Sequence, residues 1–210
     1  MRMCLRSWKP VLAVFICMMI PTVYAKPELY QIEMIVFEQS PDTQSTSPIS
    51  HETWPHFMPV PLPPTAIRLF EGEAPIYAAL PDEQRLLNVL EKRLSKSSQY
   101  HILWHKSWIQ PLPRTESHPI VIETKKDESS ASNILLQGTI SVTQKHFQTV
   151  KLNLLLTQSK QNFHLTELRH IKGDGLQYFD HPKLGALLIV KAFEGDSDEE
   201  AATEEAKPSE

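Results

Sequence analysis

Beyond residue 25, every apolar pattern in this chain but one repeats every second residue, so the chain can build a sheet and one substantial helix. Tyr30, Ile32, Met34 and Val36 alternate with Gln31, Glu33, Ile35 and Phe37, which predicts a strand with one face buried and the other partly so. From Pro81 the period turns helical: Leu86, Leu90 and Leu94 recur every four residues with Leu87 beside them. Pro81, Asp82 and Glu83 suit a first turn and Lys92, Arg93 and Lys96 a last one, each charge complementing the helix dipole. The expected fold is α+β, with one main amphipathic helix over about Pro81 to Ser97 packed on a mostly antiparallel sheet. Its order is β-α-β followed by three or four more strands.

Those later strands are read in the same way. Tyr100, Ile102, Trp104 and Trp108 share one face of a strand by their even spacing. Ile134, Leu136, Gly138, Ile140 and Val142 form the next, then Val150, Leu152, Leu154 and Leu156. Phe163, Leu165, Glu167, Arg169 and Ile171 make a more polar strand, and the apolar run Leu187 to Val190 suits a central one. The 17 prolines outnumber the six glycines and crowd the stretch from Ser40 to Pro81, which predicts an extended excursion rather than a sheet. A second break, Pro111 to Asn133, contains the polar run Lys125 to Ser130 and reads as a loop.

Residues 1–25 have the form of an export signal: Arg2, Arg6 and Lys9 precede the apolar run Val11 to Ile20, and Val23-Tyr24-Ala25 offers a cleavage site. The expected product starts at Lys26 and is soluble in the periplasm. Both cysteines, Cys4 and Cys17, lie in the leader, so the remainder can form neither a disulfide nor a thiol nucleophile. Of 21 lysines and arginines, three go with the leader and one lies in the segment 194–210, leaving 17; that segment also holds eight of the 25 acids, leaving 17. A body so balanced offers no basic surface for nucleic acid. Residues 26–193 are expected to form one domain and 194–210 a disordered acidic tail.

Four segments together resemble the CsiV family of periplasmic proteins. They are Tyr30 to Glu38 with Glu33; Tyr100 to Pro111 with Trp108 and Gln110; Gly138 to Val142; and Tyr178-Phe179-Asp180-His181-Pro182 with Gly185. Trp54-Pro55 resembles the family as well, so the likeness spans about residues 30–191. The resemblance implies a non-enzymatic peptidoglycan-binding protein linked to a peptidoglycan synthase through an outer-membrane lipoprotein activator. Where the family has an arginine pair before the final motif, this chain has Arg169-His170-Ile171-Lys172, which does not reproduce two guanidinium forks.

Read from the residues alone, Asp180 caps a turn that Pro182 stiffens. An alternative is general-base chemistry by Asp180 with His181 in a cell-wall hydrolase, which would also require a nucleophile or metal and an oxyanion donor. No histidine spacing forms a metal motif and no cofactor is implied. The candidate binding residues are Trp54, in the proline-rich stretch, and Arg169, His170 and Lys172, which suit carboxylates of peptidoglycan or of an acidic partner. A third possibility is an envelope assembly factor that binds only protein.

Overall fold

The computed structural model describes residues 28–40, 61–72, 74, 76–115, 118–124, 135–158 and 161–193. The export leader, Trp54, the Lys125 to Ser130 run and the acidic segment from Glu194 lie outside the described residues. In chain order the strands are β1 (Leu29–Gln39), β2 (Tyr100–Pro111), β3 (Ile120–Glu123), β4 (Leu135–Gln144), β5 (Gln148–Gln158), β6 (Gln161–Ile171), β7 (Gln177–His181) and β8 (Leu184–Ala192). They make two four-stranded sheets of order β2-β1-β8-β7 and β3-β4-β5-β6, and every pairing between them is antiparallel.

The architecture corrects the expected α+β arrangement. The molecule is a β-sandwich whose helix α1 covers only Asn88–Ser95, preceded by a 3-10 turn at Asp82–Gln84. Two physical reasons account for the difference. Eight residues of helix span about 12 Å, too short to cover a sheet, so the apolar faces close on each other. The helical pattern is also cut short at its start, because the Gln84 carbonyl and the Leu86 and Leu87 N–H groups bond to side chains of β1 instead of within a helix. Glu33 accepts the N–H groups of Leu86 and of Leu87, the latter at 2.9 Å, and Gln31 donates to the Gln84 carbonyl at 2.8 Å.

The main core lies between the sheets. Ile32, Met34, Val36 and Trp108 from the first meet Ile140, Leu152, Leu154 and Leu165 from the second, all buried. A smaller cluster occupies the outer face of the first sheet, where Leu87, Leu90 and Leu94 pack on Ile35 and Phe37. The two faces are therefore both used in β1, as its alternation required.

A bulge corrects the predicted face of β2. Val36 pairs with Trp104 but Phe37 pairs with Ile102, so one extra residue interrupts the register. Such an insertion reverses the side-chain parity beyond it. Trp104 and Trp108 consequently turn towards the main core, while Tyr100 and Ile102 pack in the outer cluster with Phe37.

The described part of the proline-rich stretch runs along two strand edges. Ile67 exchanges backbone bonds with Pro119 and Val121 beside β3, and Tyr77 and Leu80 donate to Ile109 and Ser107 of β2. A proline-rich segment placed there protects both edges from pairing with another chain.

Candidate functional site

Asp180 and His181 are successive residues of β7, so the pleat sends their side chains to opposite faces. Asp180 accepts from the Tyr178 hydroxyl at 2.7 Å and from the Gln39 amide at 2.9 Å. His181 instead turns towards the Phe163 ring, and its Nδ1 accepts the Lys183 N–H at 3.2 Å. The two groups do not form an acid–base pair. The Tyr178 hydrogen bond holds the Asp180 carboxyl below the usual range, while burial lowers the His181 imidazole and raises the Tyr178 phenol to about 12. Together these contacts clamp the β7–β8 hairpin to the end of β1, where Gln39 also donates to the His181 carbonyl.

Several other residues of the resemblance also serve the fold. Tyr30 and Trp108 are buried in the main core, and the Trp108 indole donates to Gln110 at 2.8 Å. Glu33, with no exposed surface, holds the helix start and lies 2.7 Å from Nε2 of His105, whose Nδ1 is 3.5 Å from Glu91. At Gly138 a Cβ would collide with the Asn153 carbonyl and stand 2.9 Å from the Leu154 Cα. A Cβ at Gly185 would enter the Phe37 ring. Pro111 ends β2 opposite Leu29, and Pro182 stands in the β7–β8 turn.

The structure divides the basic group of residues 169–172 by strand parity. Arg169 points between the sheets at their open side, where β6 and β7 are the outer strands. Its guanidinium lies 4.4 Å from the Phe179 ring centroid, bonds Glu167 at 2.8 Å and donates to the Tyr178 carbonyl at 2.7 Å. It links the two sheets. His170 and Lys172 are exposed on the outer side of the second sheet.

There they join residues that the linear reading did not single out. His170 Nδ1 is 2.9 Å from the Thr149 hydroxyl, and the Lys172 ammonium is 5.5 Å from the ring centroid of Phe147, which is 52% exposed. Phe147 belongs to the β4–β5 turn with exposed Lys145 and His146, and Lys151 is exposed two residues beyond Thr149. The same outer face carries Thr139, Asn153 and Thr166 in one paired row, with His164 bonded to Asn153 at 2.6 Å. An exposed aromatic ring, three ammonium groups and neutral hydrogen-bonding side chains make a surface suited to a hydrated, anionic, glycan-like ligand. The signal for it in the sequence was parity: residues 145, 147, 149 and 151 run along one side of a hairpin opposite residues 168, 170 and 172.

Among the described residues, no group of three or more His, Asp or Glu is arranged to hold a metal ion. No curated protein and no solved structure matches the chain. A family model does match, over residues 9–193, and its description is peptidoglycan-binding protein, CsiV. With most of its length covered by that model, the chain belongs to the CsiV family.

Proposed function

We propose that this protein is a non-catalytic module of the periplasm that binds peptidoglycan and tunes wall assembly. The family match over residues 9–193 carries this reading. The basic and aromatic patch around Phe147 and Lys172 supplies its contact surface: ammonium groups face the carboxylates of stem peptides, and Phe147 offers an apolar ring to a sugar face. The opposed side chains of Asp180 and His181 argue against a hydrolase built on that turn. Regulation would follow from contact with a synthase or its outer-membrane lipoprotein activator, as the family resemblance implies.

Co-sedimentation of the purified protein with sacculi, run beside a muropeptide-release assay with and without chelator, tests the reading. Saturable binding without released muropeptides is the expected result. Release of muropeptides would overturn the non-catalytic assignment, and absence of binding would overturn the peptidoglycan assignment.

A further inference from the structure

The described chain leaves the sandwich, at Phe193, on the same end as the basic patch. Residues 194–210 follow Phe193, whose N–H donates to the Leu29 carbonyl at 2.8 Å, at the start of β1. Pro111 pairs with that same Leu29, and two residues on the Pro113 carbonyl accepts the Gln144 N–H at 3.1 Å, at the mouth of the β4–β5 turn. Asp174, beyond Lys172, is close enough to Tyr30 to help raise its phenol pKa. The exit at Phe193, the Lys145-His146-Phe147 turn and the Lys172 loop are thus neighbours.

Length and charge favour an encounter. The 17 residues after Phe193 can extend at most ~60 Å, well beyond the separation of neighbouring loops. They carry eight carboxylates against the single Lys207, while the patch presents Lys145, Lys151 and Lys172 with Asp174 as the acid in its own loop. Tethering gives the segment an effective concentration in the millimolar range. Exposed ion pairs are weak singly, about 0.2–1 kcal/mol, and are screened by salt. A contact of this kind holds in the absence of ligand and yields to a polyanion.

We infer that the acidic segment 194–210 docks in cis on the patch formed by Lys145, Phe147, Lys151, His170 and Lys172, and that anionic ligand must displace it. The inference rests on the proposed role of this patch in peptidoglycan binding and adds self-competition as its regulation.

The test compares the purified protein with a full-length variant in which each of the eight acids of the segment is exchanged for its amide. Amide NMR spectra without ligand should differ at residues 145–151 and 170–172, and the differences should vanish at high salt and in Lys145→Gln/Lys172→Gln. They should not depend on protein concentration. Sacculus affinity of the amide variant should rise about threefold to tenfold at low salt. Unchanged patch signals, or concentration-dependent ones that place the segment on a second copy, overturn docking in cis. Changed signals with equal sacculus affinity overturn the competition. If neither protein binds sacculi, the peptidoglycan reading and the competition fall, while the NMR comparison still decides whether the segment docks.

Discussion

At the scale of residues, polar side chains at the junctions between strands act as fasteners. Arg169 stacks on Phe179 and bonds the Tyr178 carbonyl, holding β6 of one sheet against β7 of the other. Arg169→Ala should therefore lower stability by about 1–2 kcal/mol, a drop of several degrees in Tm, since it removes a cation–π contact and a charged hydrogen bond. Arg169→Lys should recover little of it, because an ammonium cannot stack and bond as a planar fork does. Thermal melts of both variants check this. His181 sets a pH response. Burial lowers its folded-state pKa below the ordinary 6.5, so the unfolded chain binds the extra proton first. Its stabilising contribution is present at neutral pH and is lost as pH falls through 6.5 towards the folded value. The Asp180 carboxyl, held low mainly by Tyr178, loses its contribution in the same direction further into acid. Melts from pH 7.5 to 5 should fall less steeply for His181→Gln than for the natural protein; parallel curves would remove His181 as the cause.

At the scale of elements, the decisive interactions join segments distant in sequence. Glu33 on β1 receives the N–H groups at the start of α1 and the His105 ring from β2. Glu33→Ala would leave these buried groups without an acceptor and should cost about 3 kcal/mol or more, with Glu33→Gln milder because one amide oxygen remains. Denaturant melts measure both. The strands β1, β4, β5 and β6 were legible because period-two alternation depends on local order alone, and β8 because its run Leu187 to Val190 is apolar throughout. The short strand β3, inside the Pro111 to Asn133 break, was not: four residues, Ile120 to Glu123, are too few to establish a period. The helix was overextended for the opposite reason. Leu86, Leu90 and Leu94 keep helical spacing, but Glu33 and Gln31 draw the backbone before Asn88 to the sheet, and nothing near Leu86 in the sequence records that competition. Likewise, the bulge that sends Tyr100 and Trp104 to different faces appears only in the pairing of β1 with β2.

At the scale of the whole molecule, two sheets enclose one main core, edge segments protect its sides, and an exposed basic and aromatic patch stands at the β4–β5 turn and the Lys172 loop. Of the expected binding residues, His170 and Lys172 stand in that patch, Arg169 stands inside the sheet junction, and Trp54 lies outside the described residues. Charge count concealed the patch, because a neutral body can still segregate its lysines, and only folding brings residue 147 to residue 172. The measurement that bears most directly on the peptidoglycan-binding account is the equilibrium affinity for purified sacculi of the natural protein and of Lys145→Gln/Lys172→Gln, across a salt series. The account predicts saturable binding by the natural protein, weakened about tenfold in the variant at low salt with a shallower salt dependence and an unchanged melting temperature. Equal binding by the two proteins would contradict the patch as the contact surface, and no binding by either would contradict the account itself.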